Sequence, residues 1–299
     1  MNELRELARK LLADGTVKVV IGYESVGPAG WPEEGPRGVR PSFITDPSQA
    51  DKLVFDSRCV HNLATYLNPR RSHIVKLGKP AVVVKGCDAR AVAGLIRECQ
   101  IKREDVVIIG VRCGGVVRDP TLGGGLTEQN VSDRCVGCEE REPTLCDYLL
   151  GMLPPAPPAS TRHADKLANL EAMTDAQRWE FWSENLSRCI RCYACREICP
   201  MCLCVQCMAD KNRPQWIDCS PTPRGNLAWH MMRVLHQAGR CVGCLECERA
   251  CPEGIPLGLL GRHVAEVVER RFKYKACEDP TVPAPMGVYR PDDGEEFIL

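Results

Sequence analysis

The first fifty residues contain one clear helical pattern, one apolar run and one stretch without a pattern. Leucines at helical spacing predict an amphipathic helix over residues 2–13. A continuous apolar run over residues 17–23 predicts a buried strand. Residues 24–50 are rich in Gly and Pro and show no period, which predicts a long loop before regular structure resumes.

The α/β pattern is clearest in the second part of the N-terminal half. A β-branched run over residues 81–84 precedes a segment of helical composition over residues 89–100, and a second run follows over residues 106–111. Strand, helix and strand in this order predict a βαβ unit, whose strands pair in parallel through a right-handed crossover. The sequence therefore predicts an α/β N-terminal domain with a small parallel sheet.

The C-terminal half carries helical patterns. They cover residues 163–188, 224–239 and 255–273. In the middle helix, the positions expected to face inward are Leu227, Met231, Val234 and Leu235. In the last helix they are Leu259, Leu260, Val264, Val267 and Val268.

A proline-rich stretch over residues 153–162 divides these two patterns. Closely spaced prolines make a stiff linker, which is a natural domain boundary. We therefore expect an α/β domain over residues 1–152 and a helical domain over residues 163–275. Residues 276–299 are Pro-rich and acidic and predict an extended tail that would lie on a partner subunit.

Composition narrows the class of protein. The net charge is zero over 299 residues, so charge gives no reason to expect binding to nucleic acid or to an anionic membrane. The N-terminus lacks the apolar stretch of a signal peptide, and no apolar run approaches the roughly 20 residues that span a bilayer. We therefore expect a cytoplasmic protein without a transmembrane segment. Twenty cysteines in a reducing compartment indicate metal ligation rather than disulfides.

Two cysteine runs in the C-terminal half share one spacing. They begin at Cys189 and Cys241, and each has the pattern C-x2-C-x2-C-x3-C-P. This is the bacterial-type ferredoxin spacing, in which three thiolates of a run bind one [4Fe-4S] cluster and the fourth binds the other cluster. The sequence thus predicts an α-helical two-cluster ferredoxin domain. The predicted ligands are Cys189, Cys192, Cys195 and Cys251 for cluster 1, and Cys241, Cys244, Cys247 and Cys199 for cluster 2.

Other uses of these eight cysteines fit less well. Disulfides belong to oxidising compartments, and nothing marks the chain as secreted. Zinc ribbons use paired C-x2-C knuckles rather than triplets followed by Cys-Pro. Two full copies of one run also make a chance pattern a poor explanation.

The N-terminal half predicts a third cluster. Cys87 follows the first strand of the βαβ unit and Cys113 follows the second, at the sheet edge where ligands of α/β proteins bind. Four thiolates favour Fe–S or Zn over harder metals, and the neighbouring clusters favour iron. The predicted ligands of this third [4Fe-4S] cluster are Cys87, Cys113, Cys135 and Cys138, with Cys59 and Cys146 as alternates.

The alternative for some of these residues is a purely structural role. Free cysteines are often small buried hydrophobes, which would also account for Cys59, Cys87 and Cys113. For Cys99, within the predicted helix, we favour this structural role.

Four further cysteines exceed the needs of a two-cluster ferredoxin. They bind either a further cluster or a zinc ion, since four thiolates suit both, or they are spare thiols that shield the clusters. These residues are Cys202, Cys204, Cys207 and Cys219.

Sequence motifs for other chemistry are missing. No G-x-G-x-x-G follows a strand, and there is no G-x-x-x-x-G-K-[ST]. The glycines at residues 123–125 predict a flexible turn. The six histidines fit no nucleophile or metalloprotease pattern, so the sequence identifies no catalytic residues.

Three motifs of the N-terminal half are Val84-Lys85-Gly86-Cys87-Asp88-Ala89-Arg90, Ile109-Gly110-Val111-Arg112-Cys113 and Cys135-Val136-Gly137-Cys138. Because of these motifs, residues 50–150 resemble the beta subunit of coenzyme F420-reducing hydrogenases and dehydrogenases. The C-terminal half resembles the dicluster ferredoxin modules of heterodisulfide-reductase-type and formate-dehydrogenase complexes. Its motifs are Arg191-Cys192-Tyr193-Ala194-Cys195-Arg196-Glu197-Ile198-Cys199-Pro200-Met201-Cys202 and Ala238-Gly239-Arg240-Cys241-Val242-Gly243-Cys244.

The resemblance implies a non-catalytic iron–sulfur subunit of a flavin-containing, multi-subunit redox complex in an anaerobe. Such a subunit would relay single electrons between a flavin or catalytic subunit and other Fe–S partners. Members of the beta-subunit family bind a [4Fe-4S] cluster and often a flavin, so a subunit that binds its own FAD or FMN, or F420, is the alternative. A zinc-stabilised interaction module is the third hypothesis, and it predicts a colourless protein.

Overall fold

The computed structural model describes residues 1–27, 38–120, 125–211, 213–215, 217–218, 220–289 and 291. Strands in these ranges form a five-stranded sheet in the order β2-β1-β3-β4-β5. They are β1 (Val19–Val26), β2 (Gly38–Ile44), β3 (Pro80–Val84), β4 (Val107–Val111) and β5 (Tyr148–Leu150). Strands β1, β3, β4 and β5 run parallel, and β2 pairs antiparallel with β1 at one edge.

The predicted βαβ unit is confirmed. Helices α1 (Asn2–Ala13) and α2 (Ser72–Val75) precede helix α3 (Gly86–Arg97), which connects the parallel neighbours β3 and β4. The last four residues of β3 are fully buried, as expected for a strand in the middle of a parallel sheet. The carboxyl ends of β3 and β4 therefore lie side by side, where the N-terminal cysteines follow them.

The predicted loop over residues 24–50 is wrong at both of its ends. Strand β1 continues to Val26, and residues Gly38–Ile44 form β2. Pro41 lies inside β2, which hides the strand in the sequence. An edge strand tolerates a proline because one side of its backbone needs no partner strand. The middle of the predicted loop, residues 28–37, lies outside the described residues.

The C-terminal half is built from helices and cysteine-rich loops. A single helix predicted over residues 163–188 is two helices, because Thr174 begins a new one: its backbone N–H donates to the side chain of Gln177, and its hydroxyl accepts from the Gln177 N–H. The helices are α4 (Arg162–Ala172), α5 (Asp175–Ser187), α6 (Ala194–Glu197), α7 (Pro223–His236), α8 (Glu246–Arg249) and α9 (Leu257–Phe272).

The predicted inward face of α7 is wrong for two of its four residues. Met231 and Leu235 are 42% and 50% exposed, and Leu227 is half-buried. The buried face instead carries Trp229, His230, Arg233 and Val234, with Asn226 one turn earlier. An inward polar face needs polar partners, because burying unpaired polar groups is costly.

The two halves share one hydrophobic core. Sheet residues such as Val83 belong to the same cluster as Met201 and Val242 of the C-terminal half. The segment after α9 also packs on the N-terminal half: Arg97 donates to the Tyr274 hydroxyl, and Arg90 donates to the Ala276 carbonyl. Tyr274, Ala276 and Cys277 are therefore buried against the N-terminal half. The part of the predicted tail in residues 292–299 lies outside the described residues.

Among the residues that the structure describes, no helix is long and apolar enough to cross a membrane.

Candidate metal centres

The four thiols predicted to bind cluster 1 line one cavity, here called cavity A. Its wall includes Cys189, Cys192, Cys195 and Cys251. The first cysteine run is bent by Arg191 and Tyr193, whose φ angles of 56° and 60° lie in the left-handed region. This bend brings the backbone N–H of Arg191 within 3.4 Å of the Cys189 Sγ. Three thiols of one run and the last thiol of the other therefore face one space.

The four thiols predicted to bind cluster 2 line a second cavity, cavity B. Its wall includes Cys199, Cys241, Cys244 and Cys247. Gly243 and Leu245 have φ angles of 67° and 53°, at the same two places in the run as the left-handed residues of cavity A. The short helices α6 and α8 lie within the two runs and pack against each other. The repeated spacing thus carries a repeated backbone path.

The four N-terminal thiols predicted to bind the third cluster line a cavity of about 340 Å³, cavity C. Cys87 lies in the first turn of α3, directly after β3, and Cys113 follows β4. Because β3 and β4 are parallel neighbours, both cysteines lie at the same edge of the sheet. Cys135 and Cys138 arrive on a loop bent at Gly137, whose φ of 63° matches that of Gly243 in the identical motif Cys-Val-Gly-Cys.

Backbone N–H groups point at the sulfurs of cavity C. The N–H of Gly115 donates to the Cys113 Sγ at 3.3 Å, and the N–H of Val116 donates to the Cys135 Sγ at 3.2 Å. Hydrogen bonds of this kind stabilise a thiolate, and they are one of the means by which a protein sets the potential of a bound cluster.

Cavities B and C adjoin. Cys241 lies on the wall of both, as do Val242 and Gly243. Arg134, also on the wall of cavity C, donates from Nη1 to the Cys244 carbonyl oxygen at 2.6 Å. It pairs with the buried carboxylate of Glu246 at 3.2 Å. A buried ion pair thus holds the N-terminal loop against the second cysteine run.

The donor chemistry of these cavities fits metal clusters. Burial raises the pKa of Cys195 to about 11 and that of Cys247 to about 12. Burial also raises the pKa of Cys87 and Cys244 well above the usual range. A metal ion can ionise such a thiol when it binds, because its charge stabilises the thiolate.

His230 supplies an independent test of the fit. Its side chain is 1% exposed and lies on the wall of cavity A, yet neither ring nitrogen has a hydrogen-bond partner among the described residues. A buried ring N–H without an acceptor is costly. The sulfurs of a cluster accept hydrogen bonds, so a cluster in cavity A would give His230 the acceptor that it lacks.

A single metal ion is a different case from a cluster. In the described part of the chain, no group of three or more His, Cys, Asp or Glu side chains is arranged to hold one metal ion. A [4Fe-4S] cluster distributes its four thiolates over four irons, so its ligands need not converge on one point.

The alternate N-terminal cysteines lie away from the wall of cavity C. Cys59 is fully buried in the main core, where its Sγ accepts from the Asp56 N–H at 3.3 Å. The Cys146 thiol donates to the Pro143 carbonyl oxygen at 3.5 Å. Cys99 was expected to be buried within a helix, which is wrong: it is exposed beyond the end of α3, with a φ of 55°.

The additional C-terminal cysteines differ in their burial and surroundings. Cys202 lies beside cavity B, where its Sγ accepts from the Gln237 side chain at 3.6 Å. Cys204 is exposed, and Cys207 is half-buried against the hydrophobic cluster around Trp229. Cys219 lies outside the described residues, so the predicted further cluster or zinc ion stays a prediction.

Three buried polar residues near the cavities were not found from the sequence. The side chain of Arg134 is 5% exposed, and His230 and Arg233 are 1% and 7% exposed. On α7, Asn226, His230 and Arg233 are spaced i, i+4, i+7, which places them on one helical face. That polar stripe was a detectable signal, but the leucines and methionines of the same helix concealed it.

The structure describes an α/β protein with a cysteine-rich helical half and three cavities, each lined by one predicted set of four thiols. No protein-family model matches the chain. The chain is 23% identical to the F420-dependent formate dehydrogenase subunit beta of Methanocaldococcus jannaschii, over 84% of this chain and 86% of the relative. It is 22% identical to the F420-dependent formate dehydrogenase 1 subunit beta of Methanococcus maripaludis, over 83% and 84% respectively. The predicted resemblance to F420-dependent dehydrogenase beta subunits is confirmed.

Proposed function

We propose that this protein is the iron–sulfur electron-transfer subunit of a multi-subunit redox complex. It relays single electrons between a catalytic or flavin-containing subunit and other Fe–S partners. The observation that carries the proposal is that three sets of four thiols each line one cavity, and that Cys241 lies on the wall of two of these cavities. The similarity to beta subunits of formate dehydrogenases supports the same class of protein.

The thiol sets assign a role to each part of the chain. The sets of cavities A and B would hold the two clusters of a ferredoxin domain, and the set of cavity C would hold the third. When bound, such clusters supply one-electron redox chemistry. The protein holds them at fixed positions, excludes water from the buried thiols and sets their potentials through hydrogen bonds and nearby charges.

The names of the relatives support one kind of partner. Both are named as subunits of an F420-dependent formate dehydrogenase, so we favour a catalytic subunit of that type as the partner. The hydrogenase and heterodisulfide reductase types stay alternatives.

A second candidate function is binding of a flavin or of F420. A cavity of about 630 Å³, here called cavity D, lies beside Cys244 and is lined by Arg118, Lys166 and Arg249. Cations suit the phosphates of such cofactors. However, Arg118 and Lys166 pair with Asp133, and Arg249 pairs with Glu246. Because these charges are already compensated, the relay remains the function that we favour.

Metal and flavin analysis of the full chain, purified without oxygen, tests the proposal. Three cubanes predict about twelve iron and about twelve sulfide per chain, and a brown protein. Flavin absorbance released on denaturation would favour the second candidate. A colourless chain that contains only zinc would contradict the proposal and favour a structural module.

A further inference from the structure

Arg233 is buried between two cluster sites. It lies on α7, is 7% exposed and forms part of the wall of cavity B. Its Nη2 donates to the carbonyl oxygen of Cys195, a predicted ligand of cluster 1, at 3.0 Å. One guanidinium group thus lies on the wall of cavity B and binds the backbone of a residue on the wall of cavity A.

Cysteines surround this guanidinium. Burial opposes the charge of Arg233, but nearby thiols, when ionised, raise its pKa well above the usual range; they include Cys202, Cys247, Cys199 and Cys195. Cys195 belongs to the cluster 1 set, and Cys199 and Cys247 belong to the cluster 2 set. Cys202 is adjacent to Cys199.

Arg233 also lacks a carboxylate partner among the described residues. The Nε of Arg233 has no hydrogen-bond partner there either. By contrast, buried Arg134 pairs with Glu246, and buried Arg191 has Asp210 at 3.9 Å. A buried cation without a counter-charge is strongly unfavourable, so the fold implies an anion beside Arg233.

Four-thiolate [4Fe-4S] clusters are such anions, and reduction adds one negative charge to each. A fixed positive charge nearby stabilises the reduced form more than the oxidised form, which raises the reduction potential. In the buried space between cavities A and B, water screens this interaction poorly.

We propose that Arg233 is a counter-cation shared by clusters 1 and 2 and that it raises the reduction potential of both. This inference rests on the proposed function, because it requires both clusters. Arg233 neither ligates iron nor exchanges protons in this role. It stabilises the reduced form of each cluster. Because both reduction potentials are raised, the same electron donor can reduce both clusters.

The test is a redox titration of the full chain followed by EPR, with iron content measured on every sample. R233Q removes the charge, R233K retains it, and R224Q removes an exposed cation from the same helix. We expect both potentials to become more negative in R233Q, to stay nearer the wild-type values in R233K, and to be unchanged in R224Q.

Each outcome decides the proposal. An R233Q chain with full iron content and either potential unchanged would overturn the shared role. If R233Q loses iron, R233K decides: wild-type potentials for both clusters support the role of the charge, and a fall in either one overturns it. Loss of iron from R233K as well would mean that the shape of the side chain matters, and would also overturn it. A wild-type chain without iron would instead refute the proposed function itself.

Discussion

Cavities A and B are built differently from cavity C, although each is lined by one predicted set of four thiols. In A and B, three of the four cysteines lie within seven residues of one another, and the loop bends at the same two places in each run. In C, the thiols come from the ends of two strands and a separate loop. Local spacing encodes the first kind of site, whereas the second exists only after the sheet has formed.

This difference predicts a difference in robustness. A site encoded in one loop keeps its geometry when distant packing changes. A site assembled from three segments depends on every contact that places those segments. We therefore expect cavity C to be the more sensitive of the two kinds to substitutions in the surrounding structure.

The largest expected effect comes from changing the fourth cysteine of a run, which is predicted to bind the cluster of the other run. In Cys199→Ser, we expect the cluster bound by the run of Cys241 to be lost, with iron falling by about four per chain. EPR of the reduced protein identifies which cluster disappears. Cys99→Ser, which changes an exposed thiol outside every predicted ligand set, is the control and should keep its iron. Loss of cluster 1 alone would refute the crossed ligation.

A comparable loss of iron, confined to the end of the relay, is expected at the other kind of site. Cys135→Ser should remove about four iron from cavity C and leave the EPR signals of clusters 1 and 2 in place. Cys146→Ser, outside the wall of that cavity, should change neither. Full iron content in Cys135→Ser would mean that cavity C holds no cluster.

Arg134 tests the junction between the two kinds of site. In Arg134→Met, the Cys244 and Val60 carbonyl groups lose their buried donor, and Glu246 loses one of its cations. We expect unfolding free energy to fall by about 3 kcal/mol. Denaturant unfolding measures it, and Arg118→Met, half exposed, should cost less than about 1 kcal/mol. Equal effects of the two changes would mean that this junction contributes little.

A smaller effect is expected from crowding the edge of cavity C. A side chain at Gly86 would collide with the Glu140 carbonyl oxygen, on the loop that carries Cys138. Gly86→Ala should therefore lower the unfolding free energy by about 1–3 kcal/mol. As the temperature rises, the variant should lose iron from cavity C before it loses iron from cavity A or B. Gly125→Ala, where the space is open, should have little effect on thermal unfolding. Iron lost first from A or B would contradict the expected difference in robustness.

The same contrast explains what the sequence could predict. The cysteine spacing predicted which eight thiols share cavities A and B, because the loops carry their own geometry. The βαβ pattern was enough to bring Cys87 and Cys113 to one edge, since parallel strands leave little choice. Strand β2 was missed because Pro41 interrupts it, and β5 because three residues carry no clear period.

The polar residues around the cavities were the hardest to predict. A helix with leucine and methionine at helical spacing ordinarily buries them, yet α7 buries His230 and Arg233 and exposes Met231. Hydrophobic periodicity assumes that the interior is apolar. Where the interior holds charged groups, the polar face turns inward, and only the contacts of the folded chain reveal it.

Residues 274–277 pack on the N-terminal half, and this contact bears on the order in which the three cavities are completed during synthesis. The walls of cavities A and B are complete once residue 261 has left the ribosome. Cavity C also needs Lys275 and Ala276, from almost the end of the described chain. A chain is made from its N-terminus, so the walls of cavities A and B are complete before that of cavity C. We therefore expect iron to be loaded first into cavities A and B and last into cavity C, although cavity C contains the earliest predicted ligands in the sequence.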